Sequence, residues 1–174
     1  MKIIDVQINS INGGSFAVTA CKKKSFYEPN HSIINSILKS ELSMNLATLR
    51  PFKQFNDNII KHKNDLKKLL EELISKGKKI IGYGASTKGN VLLQFCNLSE
   101  KELTCIAEVN EEKFGSFTPC TNIPIVSEKE AKLMKPDYML VLPWHFKENI
   151  IIREKDYLRN GGKLIIPLPE IEII

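Results

Sequence analysis

Lys79-Ile80-Ile81-Gly82-Tyr83-Gly84-Ala85-Ser86-Thr87-Lys88-Gly89-Asn90 is an apolar run of strand length that breaks into glycines and opens into a helical stretch. The spacing predicts a strand over 79–83 and a helix over 87–96. Downstream the alternation continues. Residues 103–109 read as a second strand, and 123–126 as a third whose Pro124 suits a sheet edge or strand end. Ser127 with Glu130 is a capping-box pattern opening a short helix, which Lys135-Pro136 ends. Residues 137–142 form the most apolar strand, a helix is expected over about 146–158, and Gly161-Gly162 turns into a strand over 163–166. Strands that are apolar throughout, alternating with helices, indicate a parallel sheet covered on both faces.

Upstream of this block the pattern differs. Residues 3–9 and 16–21 are short β-type runs separated by Ser10-Ile11-Asn12-Gly13-Gly14-Ser15, which reads as a hairpin. Residues 22–43 are polar, with Pro29 and Asn30, and read as a linker holding one short helix. Between 56 and 76, Ile59, Leu66, Leu70 and Leu73 recur at helical spacing among charges, giving an amphipathic helix stopped by Gly77. The expected class is therefore α/β: a Rossmann-like parallel sheet with helices on both faces, preceded by a β-hairpin and a long amphipathic helix. The expected division is a hairpin at 1–24, a linker at 25–46 and the Rossmann-like domain at 47–174.

Composition narrows the function classes. The chain has 174 residues, 43% of them hydrophobic and 26% charged, which is globular composition. No apolar run approaches the roughly 20 residues of a membrane span, and the N-terminus lacks the apolar stretch of a secretion signal, so a cytoplasmic location is expected. The net charge of +5 raises the question of nucleic acid, but its distribution argues against it. Only Arg50, Arg153 and Arg159 are arginines, and the lysines are interleaved with acids on a helix face. Cys21, Cys96, Cys105 and Cys120 form no CxxC pair, and His31, His62 and His145 stand apart, so no metal site is expected.

In a sheet of this kind ligands bind beyond the C-terminal strand ends, at the switch point beside the first strand. Here that is the 82–90 loop. Gly82 and Gly84 permit a tight turn and close ligand approach, while Ser86 or Thr87 can cap a helix whose free N–H groups attract a phosphate. The spacing G-x-G-x-x-x-x-G misses the dinucleotide fingerprint, and Asn90 stands where a P-loop needs lysine, which disfavours ATP hydrolysis. Glu108, at the end of the second strand, occupies the place where an acid often takes a ribose hydroxyl; a solvated strand-end carboxylate is the other reading. At the end of the fourth strand Trp144 is placed to stack on a base or sugar and His145 to contact a phosphate, with helix-start packing as the alternative for both.

Five stretches taken together resemble a known family. Residues 82–90, Ala107-Glu108-Val109-Asn110-Glu111-Glu112-Lys113-Phe114-Gly115, Ile123-Pro124-Ile125-Val126, Leu142-Pro143-Trp144-His145-Phe146 and Gly161-Gly162-Lys163 are similar to the C-terminal domain of S-adenosylmethionine-dependent sugar C-methyltransferases. Asn12-Gly13-Gly14-Ser15 resembles the segment that ends the central methyltransferase domain in that family. The resemblance implies a three-part enzyme: a zinc-binding domain, a methyl-donor-binding domain and this one. Its substrates are nucleotide-linked 4-keto sugars, often thymidine diphosphate sugars. A base removes the proton beside the keto group, and the enolate attacks the methyl group of S-adenosylmethionine. The substrate-binding candidates are then Tyr83, Gly84, Ala85, Ser86, Thr87, Lys88 and Asn90, with Glu108, Trp144 and His145 at the rim.

The departures carry equal weight. Relatives have a proposed histidine base where this chain has Asn12, and an amide takes no proton at neutral pH. No catalytic residue is therefore expected, and no cofactor is expected to bind this chain alone, since the zinc-binding and S-adenosylmethionine-binding segments are missing. The expectation is the nucleotide-sugar-binding portion of a longer enzyme, inactive by itself, forming a homodimer or pairing with a chain that carries the methyltransferase domain. A competing reading is an NAD(H)-binding Rossmann domain of an oxidoreductase or redox sensor, with Glu108 on the ribose. A third is a ligand-free scaffold that docks through its hairpin and amphipathic helix.

Overall fold

A computed structural model describes residues 1–174, which fall into two compact units, Met1–Asn58 and Ile59–Ile174. In the first, strands β1 (Lys2–Asn9) and β2 (Ser15–Cys21) pair antiparallel as the expected hairpin. Its tip is a short 3-10 turn over Ile11–Gly13, where Asn12 takes a left-handed φ of 54°. Beyond the hairpin the structure departs from expectation. The stretch read as a linker with one short helix contains helix α1 (His31–Ser43), thirteen residues long. Asn30 opens it by accepting the Ile33 N–H at 3.4 Å. Ile33, Ile34, Ile37 and Leu38 recur at helical spacing, a signal masked by the polar residues between them.

Helix α2 (Arg50–Ser75) begins ahead of the expected position 56, with Pro51 in its first turn, where a missing N–H costs nothing. The boundary between the two units lies within it. Leu66, Leu70 and Leu73 mark its buried face.

The second unit alternates strand and helix: β3 (Ile80–Tyr83), α3 (Thr87–Cys96), β4 (Ile106–Glu108), β5 (Ile125–Ser127), α4 (Glu128–Leu133), β6 (Tyr138–Val141), α5 (Lys147–Arg153), α6 (Lys155–Arg159), β7 (Lys163–Ile166) and β8 (Glu172–Ile173). The sheet order is β5-β4-β3-β6-β7-β8. All neighbours are parallel except β7 and β8. The chain steps outward from β3 through β4 to β5, then crosses to β6 on the other side of β3. This reversal is what opens a crevice at the C-terminal ends of β3 and β6. β8 has no counterpart among the expected strands, because two residues carry no readable period.

Strand alternation divides the core in two. Ile80, Leu140, Leu142 and Ile165 face one side with Leu66, Leu70 and Leu73 of α2 and Leu92, Leu93 and Cys96 of α3. Ile81, Tyr83, Met139, Val141, Leu164 and Ile166 face the other, against Ala131 of α4 and Ile150 of α5. Both faces are covered, which is why the strands read as continuous apolar runs. Burial of each large aliphatic side chain contributes about 1.5–3 kcal/mol.

The expected capping box at α4 is present, with Ser127 and Glu130 bonding each other's backbone N–H groups. The single helix expected over about 146–158 is instead three pieces: a 3-10 turn at Trp144–Phe146, then α5 and α6, interrupted at Glu154. Glu154 leaves helical geometry (φ −96°, ψ 19°) and is only 2% exposed. Its carboxylate accepts the Tyr83 hydroxyl at 2.9 Å and pairs with Lys132 at 2.7 Å. Arg153 Nε is a further partner at 3.9 Å, so the buried charge is compensated from both sides at the break, which the solvated look of Arg153-Glu154-Lys155 conceals.

Candidate functional site

The crevice at the ends of β3, β4 and β6 is a cavity of about 500 Å³. Tyr83, Gly84, Ala85, Ser86, Thr87 and Glu108 line it together with Lys113, Glu128, Pro143, Phe146, Asn149 and Arg153. Two glycines shape it. Gly84 has φ 81°, and a Cβ there would lie 2.8 Å from the Pro143 ring. A Cβ on Gly89 would lie 2.6 Å from Cβ of Leu142, so this glycine lets α3 approach the sheet closely. Ser86 caps α3 by accepting the Gly89 N–H at 3.0 Å. The Asn90 N–H is taken by the Ser86 carbonyl at 3.0 Å. The N-terminal end of the helix, at Ser86 and Thr87, carries the positive end of its dipole into the cavity.

Glu108 is 7% exposed, and its two oxygens take four donors. Oε2 accepts the Ala85 N–H at 2.9 Å and Lys113 Nζ at 3.3 Å. Oε1 accepts the N–H groups of Val109 and Asn110 at 2.7 and 3.0 Å. Burial by itself would raise its pKa; the bonds from Asn110, Val109 and Lys113 outweigh that and hold it below the usual carboxylate value. Lys113 also donates to the Ala85 carbonyl at 2.8 Å. Glu108 and Lys113 together clamp the Gly84–Ser86 loop from both its N–H and C=O sides.

On the opposite wall Arg153 donates to Glu128 at 2.6 Å. Each acid in the cavity is therefore paired with a cation, Glu108 with Lys113 and Glu128 with Arg153. Tyr83 contributes its ring to the wall, but its hydroxyl is committed to Glu154. Burial first, and then that hydrogen bond, push its pKa far above the ordinary value, so it remains a neutral phenol.

The other expected residues are placed elsewhere. Lys88 and Asn90 are on α3 outside the cavity lining, and Asn90 Oδ1 is buried without a hydrogen-bond partner. Trp144 packs against both halves of the core. His145 is also outside the lining, with Nδ1 buried and unpartnered; burial first, and the Lys88 charge second, lower its pKa and keep the imidazole neutral. Asn12 is at the hairpin tip of the first unit. Sequence reasoning missed Lys113, Arg153 and Asn149. Only Lys113 had a usable signal, as a cation five residues beyond a strand-end acid.

These residues do not fit S-adenosylmethionine. Glu108, the acid placed to take a ribose diol, has its acceptor positions filled, and no unpaired carboxylate faces the cavity to meet a sulfonium.

Residues 10–169 match the family described as the C-methyltransferase C-terminal domain. The chain is also 33% identical over all 174 residues to the C-methyltransferase NovU of Streptomyces niveus. It spans 41% of that relative's length.

Proposed function

Because this chain belongs to the family of C-methyltransferase C-terminal domains, we propose that it is the part of a sugar C-methyltransferase that holds a nucleotide-linked keto sugar. The observation that carries this reading is the cavity at the switch point, which the N-terminus of α3 lines through Ser86 and Thr87. The Thr87 N–H at the N-terminus of α3 receives the diphosphate, with Lys113 and Arg153 as flanking cations. Tyr83, Pro143 and Phe146 supply apolar wall for the base or sugar. The saturated Glu108 favours a deoxyribose, which has no 2′-hydroxyl to be received, over a ribonucleotide; thymidine diphosphate meets that condition.

Asn12, at the position of the family's proposed base, is an amide, and Tyr83 is a neutral phenol, so neither takes the proton in the reaction. Proton removal and methyl donation, with S-adenosylmethionine as donor, belong to the rest of the enzyme, and this chain alone is inactive. Isothermal titration with thymidine diphosphate, a thymidine diphosphate keto sugar and NADH, run separately, tests the reading. The sugar nucleotide is expected to bind tightest; binding of NADH alone, or no heat from any of the three, overturns it.

A further inference from the structure

Two carboxylates line the cavity, and they differ in what they leave open. Glu108 is spent, since both of its oxygens are filled by donors of the chain itself. Glu128 is not. Ser127 is paired with Glu108 across β5 and β4, so the next residue, Glu128, leaves the end of β5 beside the cavity. Its Oε2 accepts Arg153 Nη2 at 2.6 Å, and its Oε1 accepts no hydrogen bond. The side chain is 17% exposed. A carboxylate has about four lone-pair sites, so most of the accepting capacity of Glu128 is unused.

The acceptor is also held in place. Arg153 Nε lies 3.9 Å from Glu154 Oε1, and Glu154 is fixed in turn by the Tyr83 hydroxyl and by Lys132. The guanidinium is thus anchored by two carboxylates, and the Glu128 oxygen it leaves free is fixed with it. Its positive charge offsets that of Glu128, so this acceptor can stand near an anionic ligand without net repulsion. A neutralised carboxylate with a free oxygen suits a neutral O–H donor, with which it forms a short charge-assisted hydrogen bond.

We propose that Glu128 Oε1 is the hydroxyl receptor of this cavity, accepting a hydrogen bond from a sugar hydroxyl of the bound nucleotide sugar. The inference deepens the reading of the cavity as a nucleotide-sugar site and rests on it. Two hydroxyl sources share this chemistry, the 3′ position of the deoxyribose and the hexose. A site built to receive a hydroxyl rejects the analogue that lacks it, because its acceptor is then left unpaired.

The test is isothermal titration of the native chain, Glu128→Ala and Glu128→Gln with thymidine diphosphate, 3′-deoxythymidine diphosphate and thymidine diphosphate glucose. Both variants keep Ser127 and Glu130, whose capping box opens α4. Loss of the Glu128 charge shifts all three affinities together, so the readout is the ratio between ligands. In the native chain one comparison is expected to show a gain of about tenfold or more. For a deoxyribose source it is thymidine diphosphate over its 3′-deoxy analogue; for a hexose source it is the glucose conjugate over thymidine diphosphate. Glu128→Ala abolishes that gain, and Glu128→Gln, which keeps a neutral oxygen acceptor, retains part of it. A native chain that binds thymidine diphosphate but shows no gain in either comparison, or a gain that survives in Glu128→Ala, overturns the hydroxyl assignment alone. Silence of the native chain toward all three ligands overturns the nucleotide-sugar reading and this assignment with it.

Discussion

The Glu108 carboxylate accepts the backbone N–H of Ala85 at 2.9 Å, joining the end of β4 to the loop that leaves β3. With Lys113 on the Ala85 carbonyl, this contact sets the curvature of the ligand-facing loop. Glu108→Ala strands the Ala85 N–H and removes the partner of Lys113. It is expected to cost about 1–3 kcal/mol, read by urea denaturation, and to speed exchange of the Ala85 amide.

The same carboxylate makes stability depend on acid. Its folded pKa lies below the usual 4.5, so its contribution is present above that value and is lost as pH falls through the folded pKa. Asp137 acts in the same direction, held low first by the Lys79 N–H and then by Lys78. The urea midpoint of the native chain should fall as the solution is acidified through and below the usual carboxylate range. In Glu108→Gln the fall should be smaller; an equal fall contradicts the assignment.

Gly89→Ala brings a Cβ to within 2.6 Å of Leu142 Cβ, a backbone-anchored atom that cannot swing away. Helix α3 must shift off the sheet. The expected loss is about 1–3 kcal/mol by thermal denaturation, accompanied by weaker nucleotide binding because the helix N-terminus moves with it.

Tyr83→Phe separates packing from ligand binding. The buried Glu154 loses one hydrogen bond but keeps Lys132, so stability should drop by about 1–2 kcal/mol. Because the hydroxyl points to Glu154, thymidine diphosphate affinity should be unchanged. A large affinity loss in a folded variant contradicts this geometry.

Much of the sheet was legible in the chain because burial on both faces writes strands as apolar runs. Thr87–Cys96 and Lys163–Ile166 fall where the pattern placed them, and Ser127 with Glu130 forms the box its spacing announces. Helix α1 was underestimated because serines, asparagines and charges separate its isoleucines. The interruption at Glu154 was not legible, since the partners that bury its charge, Tyr83 and Lys132, are distant in sequence. The cavity was legible in its loop but not in its walls. Neighbours on a helix point in directions about 100° apart, so Lys88 and Asn90 leave the lining while Ser86 and Thr87 stay in it. Lys113 and Arg153 reach the cavity only through tertiary folding.

The most direct test of the central claim is amide chemical-shift mapping of the labelled chain during titration with thymidine diphosphate. The account predicts saturable shifts concentrated at Gly84–Thr87, Glu108–Lys113 and Phe146–Arg153, with the largest at the Thr87 amide. Shifts confined to other surfaces, or none at saturating nucleotide, would contradict it.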